Sequence, residues 1–177
     1  MKILNRITEL YKRFVKNTCV VFAMQKTSNS VAVKDVYRAD NLYILGEMKA
    51  IVREDLKNVF CERFTKGETL YYVSSQGKLI AYGWKKTDVK HFYVYEIGCK
   101  IAFNKNITML YDFWVDEQHR GYGIYKKLLT RIIADSDSKE DLVIFAENDN
   151  IPSLKGIRSV GFQHVSDVSF TKRKVVL

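Results

Sequence analysis

The segment at residues 109–133, MLYDFWVDEQHRGYGIYKKLLTRII, constrains the fold more than any other stretch of this chain. An apolar run is followed by two glycines, Gly121 and Gly123, and then by apolar residues at helical spacing. This pattern predicts a strand that turns directly into an amphipathic helix. The first turn of a helix leaves backbone N–H groups unpaired and is positively polarised, so the junction is a natural anion site. Taken alone, the two glycines favour an ordinary strand-to-helix turn, because two glycines near a turn are common.

The charges around this junction favour a phosphate-bearing ligand. Glycine has no Cβ, which lets a phosphate approach the backbone closely. The segment from residue 118 to residue 131 contains no acid and four basic residues: Arg120, Lys126, Lys127 and Arg131. The chain has neither a GxGxxG dinucleotide-binding fingerprint nor a GxxxxGK[ST] P-loop, so these two nucleotide-binding classes are excluded.

Hydrophobic periodicity predicts the elements on either side of the junction. On its N-terminal side we expect helices at 5–16 and 48–64, a strand at 18–26, a hairpin of 69–75 with 78–84 turning at Gln76-Gly77, and strands at 91–98 and 107–115 separated by a loop at 104–106. On its C-terminal side we expect a helix at 121–134, a strand at 142–146, a helix at 151–159 and a last strand near 162–172. A meander followed by β-α-β-α-β predicts an α/β (α+β) fold, with a mixed, mostly antiparallel central sheet and helices on its faces.

Length and composition limit the cellular context. A chain of 177 residues is the size of one domain, which we place over 1–177, and its net charge of +9 favours polyanionic partners. No apolar run reaches the roughly 20 residues of a membrane-spanning helix, and the first residues lack the apolar core of a signal peptide. Three cysteines without metal-ligand spacing (Cys19, Cys61 and Cys99) predict buried thiols, no metal site and a cytoplasmic location.

Two motifs of the second half resemble the GNAT acetyltransferase superfamily. Gln118, Gly121 and Gly123 match its acyl-CoA signature, [R/Q]-x-x-G-x-[G/A], directly after an apolar strand. The segment NIPSLKGIRSVGF at 150–162 is similar to its N-x-x-[A/S]…G-F ending. The resemblance implies a GNAT-like fold and an acetyl-CoA-dependent N-acetyltransferase without a metal. It also implies an acceptor-side half at 1–105 and an acyl-CoA-binding half at 106–165.

The resemblance also assigns residues to the binding of acetyl-CoA. It implies that the backbone of the junction clamps the pyrophosphate, and that the preceding strand pairs with the pantetheine arm while an N–H near Phe113 faces the thioester carbonyl. Asn150 matches the position that hydrogen-bonds the arm, and Ser153 lies at the start of the following helix. The complete set of expected acetyl-CoA-binding residues is Phe113, Trp114, Val115, Gln118, His119, Arg120, Gly121, Tyr122, Gly123, Asn150 and Ser153.

The catalytic residues are less well marked. Many relatives carry a tyrosine that protonates the departing thiolate, and Ile157 stands at that position here. Candidate bases are Asp112 first and Glu96 second, since both lie among large apolar residues of predicted strands, where burial tends to raise a carboxyl pKa. Strict alternation places Asp112 on the opposite face from Phe113, and a bulge, which the resemblance implies for this strand, would redirect it.

The acceptor and the alternatives stay open at this point. The motifs are also similar to those of small GNAT-like proteins associated with bacterial surface-polysaccharide biosynthesis, which implies a small-molecule amine acceptor such as an amino sugar or nucleotide sugar, with homodimer formation left open. One alternative is a non-catalytic domain that senses acyl-CoA. Another is a basic module that binds nucleic acid through Phe92, Tyr93 and Tyr95. We do not expect nucleic-acid binding, because the chain lacks the RNP signature of RNA-binding sheets.

Overall fold

A computed structural model describes residues 18–25, 33–41, 54–169 and 171–177 of the chain. Its strands are β1 (Cys19–Gln25), β2 (Tyr37–Ala39), β3 (Thr69–Ser75), β4 (Lys78–Val94), β5 (Cys99–Val115), β6 (Asp141–Glu147), β7 (Gln163–Val168) and β8 (Lys174–Val175). Its helices are α1 (Glu54–Thr65), α2 (Ile124–Asp135) and α3 (Ile151–Ser159), with single 3-10 turns at Tyr95–Ile97 and Glu117–His119. The predicted helix at 5–16 and the first part of the one at 48–64 lie outside the described residues.

The strands form one mixed sheet in the order β2-β3-β4-β5-β6-β1-β7, and β8 pairs with β5. The pairs of β5 with β6 and with β8 are parallel, and the other pairs are antiparallel. This architecture confirms the fold class predicted from the sequence. The hairpin turn at Gln76-Gly77 is also present, with Gln76 at φ 49° and Gly77 at φ 70°, as such a turn requires.

Alternation along the strands divides the core into two faces. Leu142 and Ile144 of β6 pack with Leu128 and Ile132 of α2, on the face that α3 also covers; we name it the α2 face. Val143 packs on the opposite side, which we name the α1 face because α1 covers its β3–β4 half. A strand with both faces covered is apolar throughout, which explains the uninterrupted LVIFA run of β6.

The β4–β5 hairpin is longer than the sequence predicted. The expected loop at 104–106 lies inside β5, and the expected strand at 91–98 ends at Val94, where the 3-10 turn begins. Register shifts between Lys86 and His91 bend the hairpin. Its outer part packs on the α1 face, in one apolar cluster with β1, β6 and β7. A period-2 pattern cannot reveal this bend, because both arms continue as strands through it.

The remaining differences are small. Helix α2 begins at Ile124 rather than at 121, because the residues before it form the turn. The last predicted strand, near 162–172, ends at Val168 as β7, and the short strand β8 follows beyond it. Cys19 and Cys99 are buried free thiols, as expected, whereas the free thiol Cys61 is only half-buried. No helix in the described part of the chain is long and apolar enough to cross a bilayer.

Candidate active site

The glycine turn (residues 118–123) leads from the end of β5 into α2. Gly121 and Gly123 both have positive φ, 85° and 73°, and nothing lies within 4 Å of where a Cβ would be at either one. Gly123 is the N-cap of α2, and no side chain caps the helix. The first N–H groups of α2 therefore have no side-chain cap, and the space beside both glycines is open, an arrangement that suits an anionic group.

The side chain of Asp116 holds the glycine turn in place. Its carboxylate accepts hydrogen bonds from the Gln118 N–H and from the His119 ring, whose Nδ1 lies 2.7 Å away. The hydrogen bond from His119 lowers the pKa of Asp116. The His119 side chain is thus only partly exposed. Arg120 donates from Nε to the Val115 carbonyl, so its side chain folds back along β5.

The basic residues of α2 serve different roles. Lys126 and Lys127 are exposed at the start of the helix, where they add positive charge beside the glycine turn. Arg131 instead pairs with Asp135 and donates to the carbonyls of Val33 and Val36. Its guanidinium therefore ties α2 to the segment before β2.

Beside this turn β5 and β6 stop pairing with each other, and we name the space between their unpaired ends the cleft. The two parallel strands pair only at residues 108–110 of β5 and 142–144 of β6. Both continue further, to Val115 and Glu147, without pairing. Backbone groups that face the cleft are left for another extended chain. The cleft contains Phe113, Trp114 and Val115, which are all half-buried.

A bulge interrupts β5 at the mouth of the cleft. Tyr111 pairs with Trp84 and Trp114 pairs with Tyr82, so Gly83 alone lies opposite Asp112 and Phe113. Asp112 has a left-handed backbone with φ 50°. The Phe113 ring covers Gly83 so closely that a Cβ there would lie 2.2 Å from it. A bulge at this position was an expectation of the sequence analysis, and it turns Phe113 toward the α2 face.

The bulge presents Asp112 to α1, where it forms an ion pair with Arg63. The Arg63 guanidinium lies between the rings of Trp84 and Tyr111, 5.1 and 4.9 Å from their centroids. Asp112, the first candidate base, is therefore half-exposed and already partnered.

A second network lies beside this ion pair. The Tyr111 hydroxyl donates to Glu68, which is 2% exposed and forms an ion pair with Lys86 at 2.7 Å. Burial, followed by the hydrogen bond to Glu68, raises the pKa of Tyr111. This network fixes the ring against which Arg63 lies, and the sequence analysis did not identify either group.

Glu96, the second candidate base, is not on a strand. It lies exposed in the 3-10 turn at the tip of the β4–β5 hairpin. Because the hairpin bends over the α1 face, this tip comes close to the end of β6, where the charge of Glu96 contributes to the raised pKa of Glu147. Glu147 is the other residue that sequence reasoning missed, although its place at the end of the LVIFA strand could have indicated it.

The two α2-face helices meet at the other side of the cleft. Asn150 is the N-cap of α3, accepting from the Ser153 N–H at 3.2 Å. Tyr125 of α2 packs its ring on Phe113 with centroids 5.2 Å apart, and its hydroxyl interacts with Ser153. Burial raises the pKa of Tyr125. Ile157, at the position where many relatives carry a tyrosine, is fully buried in the core. Tyr125 supplies a phenol at the interface of α2 and α3 instead.

A cavity of about 490 Å³ opens between the glycine turn and the β3–β4 hairpin. Its lining residues are Asp35, Val73, Ser74, Ser75, Ile80, Gln118, His119, Tyr122, Ile124 and Lys127. Within the described ranges, no group of three His, Cys, Asp or Glu side chains is placed to hold a metal ion.

Comparison with known families and structures places this geometry in context. The model of the Acetyltransferase (GNAT) family matches residues 33–162. No curated protein matches the chain significantly.

Two solved structures illustrate the likeness in fold. A GNAT-family acetyltransferase from Colwellia psychrerythraea is 19% identical with a TM-score of 0.58, over 86% of this chain and 54% of that protein. The chain thus spans about half the length of that relative. The aminoglycoside N-acetyltransferase AAC(6')-Iy in complex with CoA is 20% identical with a TM-score of 0.53, over 77% of this chain and 96% of that one.

Proposed function

The chain belongs to the GNAT family of acetyltransferases, and from that premise we propose that it moves the acetyl group of acetyl-CoA to the amine of a small acceptor. The observation that carries the proposal is the unpaired cleft between β5 and β6 beside an uncapped helix N-terminus. The unpaired edge of β5 offers backbone hydrogen-bonding groups to an extended pantetheine arm. The N-terminus of α2 offers N–H groups to phosphates.

The residues present fit acetyl-CoA as the co-substrate. The open space at Gly121 and Gly123 leaves room for a pyrophosphate on the backbone N–H groups, with Gln118, His119, Arg120 and Tyr122 completing the turn. The free edge of β5 at residues 113–115 suits the pantetheine arm, and the Asn150 side chain retains its amide N–H₂ for the same ligand. Ser153 lies one turn further along, beside Tyr125.

The chemistry then requires two functions from the chain. Backbone N–H groups at the β5 bulge would stabilise the charge that develops on the thioester oxygen, which is typically the largest single contribution to catalysis. A carboxylate would take a proton from the acceptor amine. Asp112 and Glu96, the bases suggested by the sequence, remain hypotheses for that step. Asp112 would have to act while partnered by Arg63.

The acceptor site of this proposal lies on the α1 face. The α2 face of the cleft is covered by α2 and α3, so an amine reaches the thioester from the side of α1 and the β4–β5 hairpin. An amino sugar is the acceptor class we favour, because a structural neighbour is an aminoglycoside N-acetyltransferase.

Gly121→Val tests the proposal. A β-branched side chain at φ 85° closes the open space in front of the helix N-terminus, so acetyl-CoA binding measured by calorimetry should be lost. The matched control is Gly67→Val, since Gly67 has φ 73° and equally open surroundings but lies in the turn after α1. Both variants carry similar backbone strain.

Thiol release with a panel of amines then separates an enzyme from a sensor. Acetyl-CoA binding with release of thiol supports the proposed transfer, whereas binding without release to any amine indicates a sensing domain. Unchanged affinity in a folded Gly121→Val protein would contradict the assignment of the glycine turn.

A further inference from the structure

We propose that Glu147, the last residue of β6, is the general base that takes the proton from the acceptor amine. This inference rests on the proposed function and assigns one step of it to a residue that sequence analysis did not consider. It follows from the strand register, from the face on which Glu147 lies and from the groups around it.

The register places Glu147 across the cleft from the reacting position. The last parallel pairs are Met109 with Val143 and Leu110 with Ile144. Asp112 and Phe113 share one position in the bulge, opposite Gly83, so continuing that register past the end of pairing brings Glu147 level with Trp114. This is the residue after Phe113, where an N–H is proposed to face the thioester carbonyl. The strands are 4.7–4.9 Å apart while they pair, and beyond Leu110 they separate to leave the width of the cleft.

Alternation along β6 directs the Glu147 side chain to the α1 face. Leu142, Ile144 and Ala146 all pack in the core of the α2 face. Val143 and Phe145 pack on the opposite side. Glu147 continues the second series, and it lies opposite Cys19 of β1, which belongs to the same cluster. The carboxylate therefore lies on the side from which an acceptor amine can enter.

The surroundings of Glu147 keep its carboxyl group available. Among the described residues, no hydrogen bond or ion pair engages it, in contrast to Asp112. Burial, then the charges of Asp149 and Glu96, raise its pKa. The groups that face it are Asp149 on the loop after β6, Glu96 on the hairpin tip and the Cys19 thiol. Burial and the charges of Glu96 and Glu147 raise the pKa of this thiol to about 12.

Raised basicity and a local excess of acids suit this role in two ways. A base is most effective when its pKa lies near the working pH. Three acids near one another, in a chain of net charge +9, also attract an ammonium group to the face of the cleft opposite α2 and α3. By contrast, the ion pair with Arg63 keeps Asp112 engaged.

The proposed step conserves atoms and charge. The Glu147 carboxylate takes one proton from the acceptor ammonium, and the resulting amine forms the new N–C bond to the acetyl carbonyl carbon. The C–S bond breaks, and the thiolate receives the second proton that the nitrogen loses as it becomes an amide. Glu147 then returns its proton to water, so each turnover releases one proton, one amide and one free thiol.

The test compares the wild-type protein with Glu147→Gln, Asp112→Asn and Asp149→Asn, using glucosamine, kanamycin and spermidine as amine probes. In Glu147→Gln we expect turnover about 10²- to 10⁴-fold lower, loss of the acidic limb of the pH–rate profile and unchanged acetyl-CoA affinity. In Asp149→Asn the acidic limb should move to lower pH, because a charge that raises the Glu147 pKa has been removed.

A second readout needs no acceptor. In protein labelled with ¹³C at glutamate carboxyl carbons, the resonance that disappears in Glu147→Gln should titrate above the ordinary glutamate pKa. It should titrate lower in Asp149→Asn.

The outcomes separate this inference from the proposed function. Full activity and an intact limb in a folded Glu147→Gln protein, or loss of the limb in Asp112→Asn alone, overturn the assignment and leave the transferase intact. A Glu147 resonance that titrates at the ordinary value also overturns it. A wild-type protein that binds acetyl-CoA but acetylates none of the probes refutes the proposed transfer, and the base with it.

Discussion

Gly83→Ala tests whether the bulge of β5 depends on the absence of a side chain in β4. A Cβ at Gly83 would lie 2.2 and 2.3 Å from two Phe113 ring carbons and 2.9 Å from a third. Since ordinary contacts begin near 3.4 Å, the ring must retreat by about 1 Å. Tyr125, 5.2 Å away between centroids, limits that movement. Overpacking of this kind costs about 1–3 kcal/mol.

The same substitution should have the opposite effect once the ring is gone. Gly83 has an ordinary negative-φ strand backbone, and glycine within a strand is less stable than alanine by roughly 0.5–1 kcal/mol. In a Phe113→Ala background, Gly83→Ala should therefore be neutral or stabilising by up to that amount. The two backgrounds differ by a coupling free energy of about 1–4 kcal/mol, above the roughly 0.5 kcal/mol scatter of independent sites.

Urea unfolding of the wild type, both single variants and the double variant measures the coupling. Equal m-values in the four proteins ensure that changes in the midpoint report the free energy of unfolding. An equal cost of Gly83→Ala with and without the Phe113 ring would refute the reasoning, because the strain would then come from the backbone. Acetyl-CoA affinity, measured in parallel, should fall in Gly83→Ala and not in Gly67→Ala.

Two further predictions concern a helix cap and a buried ion pair. Asn150→Ala should lower the stability of the fold by about 1 kcal/mol through loss of the α3 cap and weaken acetyl-CoA binding by about 1–2 kcal/mol. Asn150→Ser keeps a capping oxygen and should therefore lose only the affinity for acetyl-CoA. Equal affinities of the wild type and both variants by calorimetry would contradict the pantetheine role. Burial opposes ionisation of Glu140, but the Asp137 N–H and hydrogen bonds from Lys85 and Thr108 outweigh it and lower the pKa of Glu140. The contribution of the ionised carboxylate to the stability of the fold is therefore present above the ordinary carboxyl pKa, and it is lost as the pH falls through the lowered pKa. Thermal unfolding should show Glu140→Gln less stable at pH 7 by about 3 kcal/mol, because Lys85 stays buried without its partner, and the difference should vanish near pH 2; a difference independent of pH would contradict the ion-pair account.

Much of the second half of the fold could be predicted from its local sequence. The strand LVIFA and the helix at 151–159 are present as expected, since each is encoded by its own period and flanking residues. The glycine turn was also recognised, because positive φ at Gly121 and Gly123 is a local requirement that glycine alone meets without strain. Asn150 caps α3 for a similarly local reason.

The bend of the β4–β5 hairpin was not predictable in the same way. Residues 104–106 have the composition of a loop, yet they lie within β5. The flanking residues Ala102 and Ile107 pair with β4, and an apolar cluster shared with four other strands outweighs local preference. The strand expected at 91–98 ends early for the same reason. The position of Glu96 changed with it, from a strand interior to an exposed turn.

The sequence by itself determined the glycine turn, the β-α-β-α order around it and the alternation of faces along each strand. These depend on residues a few positions apart. Only the tertiary structure decided that Asp112 meets Arg63 across 49 residues, that Phe113 covers Gly83 and that the tip carrying Glu96 approaches Glu147. Such contacts depend on the register and bending of strands distant in sequence, and a shift of one residue exchanges the face on which every side chain lies.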